Sequence, residues 1–469
     1  MTAAQEQQKQ QKQQKPTLED MAALRGQRYL IVSSDSHAGP NPEKYLRPYC
    51  PEKYLPEFDE YCAQARATAD RMIEHVNAGR AGTKADPTLR ELGLEGTAEC
   101  IECSGHYDPE IRLRHMDESG VAAEVVFAGG QNFEELPFMG KGWNAGQAGV
   151  RTELRSSSQV IWNRWLAEFI TASPTRLMGV LQNPVWDIDL AVQEIEWGAA
   201  RGLRVVNLPA PRRDFPAYTD RAYDRLWAAC VDNGCVLTTH SGGGEEPLGV
   251  GQRRGNFLHI SENHWLGNRG LAQLIFGGVF HRYPDLTYIL TEQRTEFAPD
   301  LVKHLDSVYD AGTRGDRHGG GLYPAAPFLY VDSDVDPDTL SGEALPKVPS
   351  FYWDQNCILS GSFMAPYEVA YRHQVGLGNL LWGTDYPHLE GTWPQTPESI
   401  RHTFNTVPED EARLILGETA AVVYGFDRDA LWPLAQQIGP TPAEVATPLS
   451  DAEMPLGRSG AFREYGTFA

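Results

Sequence analysis

Short apolar, β-branched runs recur along the chain and alternate with stretches of helical periodicity. Eight runs stand out, at 29–35 (YLIVSSD), 123–128 (AEVVFA), 177–182 (LMGVLQ), 203–208 (LRVVNL), 235–240 (CVLTTH), 286–291 (LTYILT), 355–360 (QNCILS) and 380–385 (LLWGTD). Most are near-continuously apolar, as strands buried on both faces of a parallel sheet must be. Between them, 187–200 places Ile188, Val192, Ile195 and Ala199 on one helical stripe and stops at Gly202. The stretch 220–233 does the same with Ala222, Leu226, Ala229 and Cys230 before Gly234. Eight strand–helix repeats predict an α/β fold, a (β/α)8 TIM-type barrel.

Two stretches exceed what a minimal barrel needs. Residues 40–115 form a long insert after strand 1, and 311–350, with glycines at 319–321 and an Asp/Pro-rich run, precede strand 7. In a barrel the βα loops sit at the active-site face, so the first insert reads as a cap over it. Residues 1–18 are a Gln/Lys tract with too little apolar surface to fold, expected as a disordered tail. The barrel then occupies 19–438. From Gly439 to the end, a tail rich in small residues is expected to wrap the body or serve an interface.

Composition narrows the partners. The 469 residues are 41% hydrophobic and 10% aromatic, enough for a large core, and carry a net charge of −22. That charge opposes binding to nucleic acid or to an anionic membrane, and no run of 18 apolar residues exists to span one. The expected partner is a small molecule, with a homo-oligomer as the assembly. Seven cysteines, an odd number, fit a reducing, cytoplasmic setting. Cys100 and Cys103 form a lone CxxC, read as two free thiols.

Polar residues gather at the strand ends. Asp35 and His37 lie two apart on strand 1, so their side chains point the same way and can converge on one ion. Strand 5 ends in His240 and then Gly242–Gly244; strand 6 ends in Glu292 and Arg294; strand 8 ends in Asp385 and His388, with Trp393 in the same loop. Two His and two Asp suit a zinc ion with an open position for water; Mn²⁺ or Fe²⁺ would also fit. Taken singly, each His could be a structural core residue, and Asp35 and Asp385 could be helix N-caps. His115, Arg112 and Arg114 precede strand 2 on a helical stretch. They could reach a carboxylate of the substrate, though charges on a solvated helix face are the simpler reading for that stretch. The glycines after His240 lack a P-loop Lys-Ser/Thr, no GxSxG elbow exists, and no cysteine carries a Cys/His signature.

These motifs resemble the amidohydrolase superfamily, in its amidohydrolase-related branch that includes aminocarboxymuconate-semialdehyde decarboxylase. The carriers are SSDSHAG (33–39), TTHSGG (238–243) and WGTDYPH (382–388), supported by RLRHMDESGV (112–121), LIFGGVFHRYPDL (274–286) and VVYGF (422–426). The resemblance implies Asp35, His37, His240 and Asp385 as metal ligands, with Asp385 also taking a proton from the metal-bound water. It departs from the branch in three places. Strand 1 carries Asp35 where His is commoner. Strand 4 lacks the lysine of two-metal members, so one ion is expected. Glu292 stands where decarboxylases carry a histidine. Glu292 could be a further ligand, a general base or the ion-pair partner of Arg294, and His388 an orienting group or a donor to substrate. Asp385, Glu292 and His388 are thus the candidate catalytic residues, and Arg294, Trp393 and His115 the candidate substrate-binding ones. The leading expectation is a metal-dependent hydrolase attacking an amide, lactone or activated C–C bond of a small cyclic or aromatic molecule. The alternatives are a non-oxidative decarboxylase of an aromatic or unsaturated carboxylate and a non-enzymatic binding barrel.

Overall fold

The computed structural model describes residues 15–83, 100–132, 134, 136–139, 150–241, 261, 268–313, 345–455 and 460–464. All eight apolar runs are strands: β1 Val32–Ala38, β2 Ala123–Ala128, β3 Leu177–Leu181, β4 Val205–Asn207, β5 Val236–His240, β6 Tyr288–Thr291, β7 Cys357–Ser362 and β8 Leu380–Gly383. They form one parallel sheet in the order β1 to β8, and the barrel closes where Ser36 of β1 bridges Tyr386, just beyond β8. Asp385 N–H donates to the Asp35 carbonyl at 3.0 Å across that seam. The protein is a (β/α)8 barrel.

Strand alternation sorts the side chains into two cores. Val125, Val180, Val205, Ile289, Ile358 and Leu381 fill the barrel interior, while the intervening Val126, Leu181, Val206, Leu290 and Leu359 face the surrounding helices. Ala420, Tyr424 and Leu431 join the interior cluster and plug one end of the barrel. This closing segment approaches β1 so tightly at Gly417 that a Cβ there would lie 2.0 Å from the Leu30 carbonyl oxygen. The N-terminal end is therefore packed shut, and function is left to the opposite rim.

Four helices matter below: α1 Pro109–Glu118, α2 Thr152–Phe169, α3 Ile188–Ala199 and α4 Asp224–Asp232. The last two carry the stripes predicted at 187–200 and 220–233. The described part of the first insert is not structureless. It contains short turns from Pro42 to Tyr54, a helix Leu55–Thr83 and a turn Ser104–His106. Most of the second insert, 314–344, lies outside the described residues, as do residues 1–14 of the N-terminal tract and the glycines at 242–244. Near the C-terminus, Ala461 and Phe462 are buried with Phe363, and Arg463 pairs with the buried Glu368.

Candidate metal centre

β1 bulges between Ser33 and Ser36 and continues to Ala38, which places Asp35 and His37 within the strand. Neither Asp35 nor Asp385 caps a helix. His37 Nε2 lies 3.4 Å from Asp35 Oδ1, 3.2 Å from Asp385 Oδ1 and 3.2 Å from His240 Nε2, and His240 Nε2 lies 3.3 Å from Asp35 Oδ1. Two triads result, Asp35–His37–His240 and His37–Asp385–His388, which share His37. All these side chains are buried.

His37, His240 and Asp35 are each turned toward the cluster by a bond on their far side. His37 Nδ1 lies 3.0 Å from the Ala128 carbonyl and His240 Nδ1 lies 2.9 Å from the Ser241 carbonyl. Each carbonyl fixes the proton on Nδ1 and leaves the Nε2 lone pair facing the cluster. The Ser362 hydroxyl donates to Asp35 Oδ2 at 2.5 Å, while among the described residues Asp35 Oδ1 and both oxygens of Asp385 accept no hydrogen bond. Gly383 gives Asp35 its space, since a Cβ there would lie 2.8 Å from the Asp35 Cβ.

Lone pairs on carboxylate oxygens and unprotonated nitrogens repel one another unless a cation lies between them. Ligands about 2.0–2.1 Å from a tetrahedral ion stand about 3.3 Å apart, and the observed separations match that edge. The donor set therefore fits one divalent cation. The inward-facing rim residue of β4 is Asn207, a side chain unable to carry a carbamate to a second ion.

Asp385 and Glu292 share a backbone feature. Asp385 lies two residues past β8 and Glu292 directly follows β6, and both hold left-handed conformations, at φ 56° and 55°. Such residues cost about 1–3 kcal/mol each and concentrate where a side chain must be aimed. Glu292 accepts a hydrogen bond from the Ser241 hydroxyl and approaches His240 from its Nδ1 side at 3.5 Å, away from the Nε2 that faces His37 and Asp35. Its carboxylate also gathers with those of Asp385 and Glu390. Burial, and then the Asp385 charge, push Glu292 up to about 8. Burial opposes a charge on His388, but Asp385 at 2.9 Å overrides it and raises His388 to about 10. Burial also works against ionised Asp35, yet His240 and His37 hold it well below the usual carboxylate range. His388 Nε2 is fixed on the Gly129 carbonyl at 2.7 Å.

Other expected residues fall elsewhere. Arg294 pairs with Glu296, not Glu292. His115 stacks on Trp393 with ring centroids 4.9 Å apart, and its Nδ1 lies 2.9 Å from the Tyr386 hydroxyl, which also meets Cys103 Sγ at 3.1 Å. Arg114 lies on a solvated helix face, but Arg112 does not. Arg112 is fully buried, pairs with Glu124, donates to the His37 carbonyl at 2.7 Å and to the Ser36 hydroxyl at 2.8 Å, and lies over Tyr386. Apolar neighbours on both sides, with β1 and β2 acceptors in reach, draw it inward as a brace for the ligand strand. Sequence reasoning missed Glu390, held by Gln131 at 2.8 Å, and His106, whose Nε2 lies 3.0 Å from the Cys100 carbonyl.

A family model described as Amidohydrolase matches residues 108–426, most of the chain. The chain belongs to the amidohydrolase family. No curated protein matches it. Among solved structures this amidohydrolase is similar to 5-carboxyvanillate decarboxylase of Novosphingobium aromaticivorans DSM 12444, complexed with manganese and 4-hydroxy-3-methoxy-5-nitrobenzoic acid. That match has 14% identity and a TM-score of 0.57, and covers 85% of this chain and 96% of that one. It is also similar to 5-carboxyvanillate decarboxylase LigW of Sphingomonas paucimobilis (18% identity, TM-score 0.54, covering 85% and 99%). A third is dihydroxybenzoic acid decarboxylase of Polaromonas sp. JS666 with manganese and 2-nitroresorcinol (15%, 0.53, covering 86% and 99%). At these identities the likeness is one of fold.

Proposed function

We propose that this amidohydrolase is a single-metal hydrolase of a small cyclic or aromatic amide or lactone, with the ion held by Asp35, His37, His240 and Asp385. When bound, the ion would supply an acidified water and polarise the scissile carbonyl. The observation that carries the reading is Asp385: a buried carboxylate at this cluster whose two oxygens, among the described residues, accept no hydrogen bond. It can accept the proton of the attacking water, with His388 at 2.9 Å holding it in place. Glu292 and Glu390 flank Asp385. A substrate carboxylate placed beside them would be repelled by the Asp385 charge, a repulsion that an uncharged amide or lactone does not feel. Half-buried Arg294 and the His115–Trp393 pair are the proposed walls for the rest of the substrate.

The sequence expectation for the ion is Zn²⁺. Two carboxylates and two imidazoles admit Mn²⁺ equally, and manganese is present in two of the similar structures. The second reading, non-oxidative decarboxylation of an aromatic carboxylate, is favoured by the decarboxylases among those structures. Among the described residues no helix is long and apolar enough to cross a membrane, and the seven cysteines, all buried, form no disulfide. A reducing, cytoplasmic setting and a homo-oligomer complete the proposal.

Turnover of lactones, cyclic amides and hydroxybenzoates by zinc- or manganese-loaded protein in ¹⁸O-water tests the choice. Hydrolysis puts one labelled oxygen into the organic product. Release of CO₂ with an unlabelled aromatic product would instead establish the second reading.

A further inference from the structure

The rim between β2 and β5 carries a buried amide that the metal centre does not use. Met178 and Val180 of β3 face the barrel interior, and Gln182 continues that alternation at the C-terminal rim, fully buried. Its main chain is clamped by one side chain of α2. Gln182 N–H donates to Asn163 Oδ1 at 2.8 Å, and the Gln182 carbonyl accepts from Asn163 Nδ2 at 2.9 Å. Asn163 Nδ2 also donates to Glu194 of α3 at 2.9 Å, and Arg164 grips Glu194 through two bonds of 2.8 and 2.6 Å.

The side chain is equally fixed. Asn207 of β4 donates through Nδ2 to Gln182 Oε1 at 2.9 Å, so Gln182 Nε2 must point away from Asn207. Among the described residues that nitrogen, with two N–H groups, has no acceptor. A buried donor left without a partner is disfavoured by more than a typical hydrogen bond gains, so an unpaired one held this rigidly asks for a ligand. Its place points to which. Val126 pairs with Gly179, so Gln182 lies nearer the rim than Phe127, whose ring meets His240 edge-on at 4.9 Å. Asn207 pairs with Thr238, one inward step below His240.

We propose that Gln182 is a substrate-binding residue whose Nε2 donates to an oxygen acceptor on the substrate ring, remote from the group held at the metal. The proposal rests on the metal-centre reading above. A neutral amide selects a carbonyl, ether, hydroxyl or carboxylate oxygen without adding charge to an already charged site. It therefore assigns the enzyme an oxygen-substituted cyclic or aromatic substrate, not a plain hydrocarbon ring.

Hydroxamates separate the two readings because they anchor on a divalent ion whatever the natural substrate is. Acetohydroxamate, benzohydroxamate and 3- and 4-methoxybenzohydroxamate are titrated into the manganese-loaded full chain, its Gln182→Met variant and its Gln182→Glu variant. The glutamate variant keeps the side-chain length and the contact to Asn207 should methionine not fold. In the wild type a methoxy probe binds about fivefold or more tighter than benzohydroxamate. Both variants lose that gain, while acetohydroxamate binds all three proteins alike. No gain in the wild type, or the same gain in the variants, overturns the role of Gln182 and leaves the amide to a structural water. Failure of acetohydroxamate to bind the loaded wild type overturns the metal centre, and this proposal with it.

Discussion

The Ser362 hydroxyl donates to Asp35 Oδ2 at 2.5 Å, which commits one oxygen of the carboxylate and turns the other, Oδ1, toward His37 and His240. β7 thus orients Asp35, the proposed ligand on β1. Ser362→Ala removes the hydrogen bond that, among the described residues, aims the Asp35 carboxylate. Outer partners of this kind are worth about 10- to 100-fold in metal affinity. Competition with a chelator should show a loss in that range with the fold intact; unchanged affinity would mean that Asp35 does not hold the ion.

Metal uptake should depend on pH. Burial and His388 oppose a charge on His37, but the carboxylates of Asp35 and Asp385 beside it prevail and hold it above the ordinary imidazole range. Proton and cation compete for the same Nε2. A raised pKa keeps the proton bound to higher pH, so affinity should still climb with pH through neutrality and fall on the acid side, with protons released on binding. Calorimetry in two buffers of different ionisation enthalpy measures the release, and none would be seen if His37 were not a ligand.

Arg112→Met should unfold the protein more readily. It strands the buried Glu124 carboxylate and removes the donors to the His37 and Gly105 carbonyls and to the Ser36 hydroxyl. Losing one partner of a buried pair costs about 3–5 kcal/mol. A urea midpoint close to that of the wild type would show that Arg112 is dispensable to the seam.

Glu292→Gln should leave metal stoichiometry at saturation unchanged and lower turnover about 10-fold or more. Glu292 lies on the Nδ1 side of His240 and not at its ion-facing nitrogen. Metal lost on dialysis of this variant alone would make Glu292 a ligand.

The parts legible in the sequence are those that strand periodicity encodes. Eight apolar runs announced eight strands, and the period of two placed Asp35 and His37 on one side of β1. Asp385 and Glu292 were visible as polar endings, but their left-handed backbones, which aim them, have no sequence signal in non-glycine residues. Arg112 looked like a solvated charge because its acceptors come from β1 and β2, brought beside α1 only by folding. Glu390, Gln131 and His106 were missed for the same reason: each comes from a loop, and their convergence is a property of the closed barrel. Gln182 ended a run scored only for its apolar residues, so its inward direction emerged with the register of β3.

Anomalous diffraction from crystals of the manganese-loaded protein is the most direct measurement. One peak should lie about 2.2 Å from Asp35 Oδ1, His37 Nε2, His240 Nε2 and Asp385 Oδ1, and it should vanish in Asp35→Asn. No peak at saturating manganese, or a peak among Glu292, Asp385 and Glu390 without either histidine, would contradict a single ion shared by β1, β5 and the end of β8.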